Sequence, residues 1–291
     1  MAADAMNTWF RTHNADMLEA RSKTVQRMRV PQMNDAITTL YRVVQPVINP
    51  KTMIAGLMTY PSYLRDFRRY RRMSNSERIE LGDAYPRLHD RTLRTGIDAH
   101  YFYTNGWAMR RITLQNPAYH VDIGSQTSFV NLLSAVLRVT FVDYRPLDAS
   151  MHGLDNCGGN IITLPFASDS LVSLSCLHVA EHIGLGRYGD PLNAQGTQQA
   201  CSELQRVLAP GGDLYFVVPV GRQRVCFNAH RVHAPSTILA YFSKLDLVEF
   251  SGMRDDRTFV EHAEIDTFAD SSYACGMFWF RKPLKPSGAN S

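Results

Sequence analysis

Two groups of residues have the types and spacing to do chemistry. The run His178-Val179-Ala180-Glu181-His182 sets two imidazoles beside a carboxylate. Imidazole titrates near neutral pH, so a histidine with a carboxylate neighbour can take a proton from a hydroxyl group. The plainer alternative is that Glu181 and His182 hold the following loop. The same run matches H-x-x-E-H, in which two histidines four apart on a helix could hold zinc. Gly184, Gly186 and Gly189 follow at once and do not extend a helix. Zinc is therefore disfavoured here, and no metal ligands are expected. The second group is Asp122-Ile123-Gly124-Ser125 together with Asp143. A small residue after a strand lets backbone approach a ligand, and a carboxylate closing the next strand can accept both hydroxyls of a ribose.

These residues need elements to position them. Tyr119 to Ile123, Val139 to Asp143 and Leu171 to Leu177 read as strands. Phe129, Leu132, Leu133 and Val136 recur at helical spacing, with Ser125, Thr127 and Ser128 as candidate N-caps. Ala200, Leu204, Val207 and Leu208 mark another helix face, which Pro210-Gly211-Gly212 should stop. Leu214 to Val218 is a near-continuous apolar strand, as expected when both faces are covered. Ile238 to Phe242 looks helical, and Leu245 to Phe250 and Gly276 to Phe280 look extended. Strands alternating with helices predict an α/β fold: a Rossmann-like, doubly wound, mostly parallel sheet. Ligands of such sheets bind at the carboxyl edge, where strand order reverses.

Residues 1–95 lack strand-like alternation and read as a helical N-terminal extension. Ala36, Leu40, Val43 and Val44 keep helical spacing, and Pro46, Pro50 and Pro61 should break it. The main domain is expected over 96–285, and 286–291 as a disordered tail. Arg65, Arg68, Arg69, Arg71 and Arg72 crowd one short stretch. A solvated helix face is the first expectation for them. Contact with an anionic membrane surface or a phosphate-bearing glycan is the functional alternative, and nucleic acid is the least favoured.

The 291 residues carry a net charge of +4, which permits an anionic partner without demanding one. The five cysteines form no C-x-x-C pair, so neither a disulfide framework nor a zinc ribbon is indicated. No apolar run is long enough to span a bilayer, and Met1 to Arg11 lacks the apolar middle of a secretory signal. The expected location is the cytoplasm, free or at the membrane periphery. A homo-oligomer is left open.

The motifs in order resemble those of class I S-adenosylmethionine-dependent methyltransferases. They are the D-x-G strand end at Asp122, the acid Asp143, and Asn160 before Leu164-Pro165-Phe166. Next come the Glu181-His182 pair and Glu203-Leu204-Gln205-Arg206-Val207-Leu208-Ala209-Pro210-Gly211-Gly212. The resemblance covers about residues 100 to 282. Three segments, Asp98 to Tyr103, Leu177 to Pro191 and Arg224 to Arg231, further resemble an uncharacterised branch. Some of its members are linked to surface-polysaccharide or other glycan pathways.

The resemblance implies S-adenosylmethionine as cofactor. Asp122, Gly124 and Ser125 would lie at its methionine portion, Asp143 at the ribose, and Tyr144, Asn160 and Ile161 around the adenine. His178 would face the cofactor, and Tyr103 and Trp107 would help cover it. Apart from the resemblance, Arg187, Tyr188 and Asp190 on the Gly-rich loop either close over the acceptor, a glycan or other small hydroxylated molecule, or belong to an ordered structural loop. His230 and Arg231, after the next strand on the active edge, are acceptor candidates, and Glu181 or His182 is the candidate base. Two further glycines of the family's first motif fall here on Gln126 and Ser128. They motivate the alternative of a non-catalytic binding or regulatory partner. A nicotinamide enzyme is disfavoured because G-x-G-x-x-G is absent.

Overall fold

The computed structural model describes residues 50–73 and 80–285. The expectations for Met1 to Arg11, for Ala36 to Pro46 and for the 286–291 tail lie outside the described residues. The chain divides into two units, 1–95 and 96–291.

In the first unit, α1 spans Pro50–Met73. Pro50 and Pro61 were expected to break a helix, yet one opens it and the other sits inside it. Proline suits a helix start because its missing N–H would lack a partner there anyway. At Pro61 the lost donor falls to the carbonyl of Leu57, an exposed residue that water can serve.

In the second unit, α2 (Ala99–Gln115) is capped by Asp98, whose side chain accepts from the backbone N–H of His100 and Tyr101. There follow β1 (His120–Ile123), α3 (Thr127–Ser134), β2 (Val139–Asp143), β3 (Leu154–Gly158), β4 (Leu171–Leu177), α4 (Gly196–Val207) and β5 (Leu208–Val220). Next come β6 (Arg224–Cys226), β7 (His230–Val232), α5 (Pro235–Tyr241), β8 (Asp246–Met253), β9 (Phe259–Val260) and β10 (Ala274–Arg281).

Eight strands form one sheet in the order β3-β2-β1-β4-β5-β10-β8-β9, and β6 pairs with β7 apart from it. Strands β1 to β5 pair in parallel, whereas β10 runs antiparallel to both β5 and β8. The order reverses between β1 and β4, which is where a doubly wound sheet opens a crevice. The sheet is the mostly parallel, Rossmann-like one of the class I methyltransferase fold.

Alternation along β5 builds two cores. Leu214, Phe216 and Val218 face α4 and α5 with Leu204, Ile238 and Phe242. Tyr215 and Val217 face α2 and α3 with Trp107, Phe129 and Leu133. The E-x-x-R motif is a clasp. Glu203 accepts from the N–H of Leu164 at 2.7 Å, and Arg206 donates to Glu203 at 2.7 Å and to the Phe166 carbonyl at 3.0 Å.

Several local expectations are corrected. The N-cap of α3 is Gln126, without a side-chain cap bond, and none of Ser125, Thr127 or Ser128 fills that place. Its buried face is Phe129, Val130 and Leu133, while Leu132 and Val136 are exposed. Pro210-Gly211-Gly212 lies inside β5, and Leu208 already belongs to that strand. Gly211 takes φ +77, so the chain kinks and stays extended.

Candidate active site

One cavity of about 190 Å³ opens at the carboxyl ends of β1 to β4. Gly124, Asp143, Tyr144, Asn160, Ile161, His178, His182, Tyr188 and Asp190 all line it. Gly124 has φ +64, and a β-carbon there would lie 3.1 Å from Asp143 Oδ2 and 3.2 Å from Val179 Cγ1. Backbone therefore comes closest to the ligand space where a side chain cannot stand. The Arg145 N–H donates to Asp143 Oδ1 at 2.7 Å, which orients the carboxylate. Asn160 Oδ1 accepts from the N–H of Ile162 at 3.2 Å and shapes the loop after β3.

Asp122 and Ser125 stand behind this surface and do not line the cavity. Asp122 is fully buried, accepts from the N–H of Ser125 at 3.0 Å and also from the Ser175 hydroxyl. Burial pushes its carboxyl up to about 6. Ser125 Oγ accepts from the N–H of Leu177 at 3.0 Å. The two residues thus tie β1 to β4 across the reversal point and hold Gly124 in place. Gln126 and Ser128 do not line the cavity either. Gln126 Oε1 accepts from Asn105 Nδ2 of α2 at 2.8 Å, so its bulk is directed to α2.

Beyond β4 the chain turns at His178, φ +59, into a short 3-10 turn over Ala180–His182. His178 and His182 therefore do not share an α-helical face, and H-x-x-E-H is not a helical zinc motif here. Glu181 is buried between the two, with Oε1 3.2 Å from His178 Nδ1 and 3.8 Å from His182 Nε2. Burial would raise its carboxyl, but the bond to His178 outweighs this and holds it below the ordinary value. His182 Nδ1 is 2.6 Å from the Ala229 carbonyl, so that nitrogen carries the proton and Nε2 keeps a lone pair. Burial keeps His182 below its usual titration point, and hence neutral.

The residues expected at the acceptor divide. Tyr188 lies under two guanidinium groups, Arg145 at 4.6 Å and Arg187 at 5.1 Å from its ring. Asp190 lines the cavity, but its carboxylate accepts from the N–H groups of Gly184 at 2.7 Å and Tyr188 at 3.2 Å. His230 stacks near Tyr273, 4.8 Å between ring centres. Arg231 is buried and donates to the carbonyls of Ile183 at 2.6 Å and Asn193 at 3.0 Å. It fastens the loop and is not free for an acceptor. Trp107 is likewise buried, donating to Glu249 at 3.0 Å, and Tyr103 stacks on Phe259 at 5.0 Å. Neither lines the cavity.

Sequence reasoning passed over what packs against His178. Its Nε2 is 3.4 Å from Thr104 Oγ1 and 3.5 Å from Cys275 Sγ. Burial would lower His178, but the neighbouring Cys275 and Glu181 raise it to about 10. Burial would raise Cys275, and His178 with His100 instead bring it down to about 6. The adjacent lining residues Val142, Arg145 and Asn193 were also missed. Only Arg145, two positions past Asp143, carried a positional signal.

A family model described as a Caenorhabditis protein of unknown function, DUF268, matches residues 167–282. No curated protein matches the chain. Among solved structures the chain is similar to the N-methyltransferase NodS from Bradyrhizobium japonicum WM9 in complex with S-adenosyl-L-homocysteine. The identity is 18% over 77% of this chain and 98% of that one, with a TM-score of 0.45. It is also similar to the 1,6-didemethyltoxoflavin-N1-methyltransferase of Burkholderia thailandensis, at 13% identity over 64% and 84%, TM-score 0.44. A third likeness is to the cyclase SpnF, 12% identical over 63% and 82%, TM-score 0.48.

Proposed function

We propose that this chain binds S-adenosylmethionine and transfers its methyl group to an oxygen of a small hydroxylated acceptor, such as a sugar hydroxyl of a glycan. The observation that carries this reading is the pairing of Gly124 with Asp143 at the reversal point of the sheet. It joins a close backbone approach to a carboxylate oriented by the Arg145 N–H, and both border the same cavity as His182. When bound, the cofactor would supply an activated methyl on a sulfonium. Asp143 would accept from its ribose hydroxyls, and Tyr144, Asn160 and Ile161 would border the adenine.

His182 Nε2, unprotonated and free to accept, would remove the acceptor's proton. The imidazolium so formed would be stabilised by Glu181 at 3.8 Å. Arg187 and Tyr188 would position the acceptor, with most of the rate arising from that positioning. No helix among the described residues is long and apolar enough to cross a membrane.

The test is calorimetry with S-adenosylmethionine and its demethylated product. Saturable binding is expected, and Asp143→Ala should weaken it by about 1.5–3 kcal/mol per charge-assisted hydrogen bond lost. No binding of either ligand at millimolar concentration would sink the enzyme reading and favour a non-catalytic partner. Binding without turnover on any hydroxylated acceptor would remove only the acceptor.

We further infer that α1 meets an anionic bilayer surface. Its exposed Met53, Ile54, Leu57 and Met58 precede the exposed Arg65, Arg68, Arg69, Arg71 and Arg72. Apolar insertion and attraction to acidic headgroups act together in such a helix.

A further inference from the structure

Three side chains from distant parts of the chain converge beside the cavity. His100 in the first turn of α2, His178 after β4 and Cys275 in β10 offer ligand atoms that all lie within 4.8 Å of one another. Two observations separate this cluster from a chance meeting of polar groups.

The first is geometry. Zinc binds sulfur at about 2.3 Å and imidazole nitrogen at about 2.0–2.1 Å, so a tetrahedral angle places the two ligand atoms roughly 3.5 Å apart. Cys275 Sγ and His178 Nε2 are 3.5 Å apart. One edge of the coordination tetrahedron is already formed. Glu181 Oε1 stands 3.2 Å from the other nitrogen of His178. A carboxylate behind a histidine fixes the proton on Nδ1 and leaves the Nε2 lone pair for a metal.

The second is unsatisfied bonding. His100 Nδ1 and Glu181 Oε2 are buried without a hydrogen-bond partner. Buried polar atoms are nearly always paired, so orphans in one place ask for a missing charge or ligand. A cation would supply it for the carboxylate through His178, which Glu181 touches, and for His100 by direct ligation.

We propose that His100, His178 and Cys275 bind one zinc-class divalent ion. Two imidazoles and a thiolate suit zinc over magnesium or calcium, which prefer oxygen. Three protein ligands leave one tetrahedral position open, as in catalytic rather than closed structural sites. Thr104 Oγ1 lies beside two of the three ligand atoms, 3.4 Å from His178 Nε2 and 3.6 Å from Cys275 Sγ. Cys275 is wholly buried, which argues against the rival use of the same trio as a cysteine nucleophile. Access is open to an ion, because His178 borders the candidate active-site cavity and His100 borders a separate one with Asp255 and Tyr273.

The test uses the full chain, reduced and stripped with chelator, then titrated with cobalt(II) and displaced with zinc(II). One equivalent should bind, with a thiolate-to-cobalt charge-transfer band that zinc removes. Cys275→Ala should abolish the band and weaken zinc binding by about 100-fold or more. Glu181→Gln, behind the ligand, should weaken it by about 10–100-fold. Circular dichroism checks folding. If Cys275→Ala does not fold, His100→Gln carries the test with the same expected loss of affinity. No band in the reduced wild type at millimolar cobalt would overturn the proposal, as would equal zinc affinity in wild type and a folded ligand variant. Calorimetry with the demethylated cofactor on the same stripped sample keeps the two questions apart. Cofactor binding without zinc binding defeats this proposal alone.

Discussion

Gly124 and Asp143 meet across the reversal point of the sheet, with only 3.1 Å between a would-be β-carbon of the one and the carboxylate of the other. Gly124 also holds φ +64, where any L side chain is strained. Gly124→Ala is therefore expected to lower stability by about 1–2 kcal/mol and to weaken binding of the demethylated cofactor by turning Asp143 aside. Denaturant unfolding and calorimetry read the two effects separately. A variant unchanged in both would show that the close approach is not used.

His182 and Glu181 should separate chemistry from binding. His182→Ala is expected to reduce kcat by about 10²–10⁴ and to leave affinity for the demethylated cofactor nearly intact. The base must be neutral, and burial lowers its titration point. The acid limb of the rate profile should accordingly fall below the ordinary histidine value. Full turnover in both His182→Ala and Glu181→Gln would return the pair to holding the loop.

The parts of the site that were legible are those written locally. Gly124 directly follows β1 and Asp143 ends the apolar run of β2, so position along the chain puts both at the carboxyl edge, where they line the cavity. β3 left no such trace. It is an edge strand, Leu154-Asp155-Asn156-Cys157-Gly158, largely exposed and without apolar alternation. Arg231 looked like an acceptor residue because it follows the next strand on the active edge. Its donors go instead to the carbonyls of Ile183 and Asn193, a partnership no spacing encodes. The His100, His178 and Cys275 cluster was illegible for the same reason. Its members sit on three different elements, and 97 positions separate the last two.

Buried histidines should make the fold acid-sensitive. Burial brings His120 down to about 3 and His233 to about 4. The unfolded chain takes up protons near 6.5 that the folded chain refuses, so this stability is present above 6.5 and lost as pH falls. Each histidine contributes a slope of about 1.4 kcal/mol per pH unit within its window. Asp122 works in the opposite direction. Its carboxyl is raised to about 6, so its contribution is greatest below the unfolded value of 3.8 and disappears as pH rises through 6. The histidines outnumber it, and urea midpoints should drop between about pH 7 and about pH 5. His120→Gln should flatten that drop, although the variant starts from lower stability. Equal slopes in the two proteins would refute the assignment.

Helix α1 predicts lipid dependence. Vesicles containing anionic lipid should retain the full chain at low salt, and neutral vesicles should not. Charge reversal at Arg68 and Arg69 should release it, with about 1 kcal/mol lost for each positive charge removed near the surface. Equal retention of wild type and variant would eliminate the membrane surface as partner.

Arg111 and Glu249 form a deeply set ion pair, 2.6 Å apart with side chains 10% and 6% exposed. Burial would raise the Glu249 carboxyl. Arg111, Ser251 and Trp107 together bring it below its ordinary value instead. Arg111→Met leaves that buried carboxylate without its guanidinium, held by the Trp107 and Ser251 donors, and should cost about 3–5 kcal/mol in urea unfolding. Glu249→Gln keeps an acceptor for Trp107 and should cost less. The double variant restores neutrality, so its loss should be smaller than the sum of the single losses by about 1 kcal/mol or more. Strict additivity would mean that the guanidinium matters for its packing against Trp107, 5.3 Å from the ring centre, and that its charge does not.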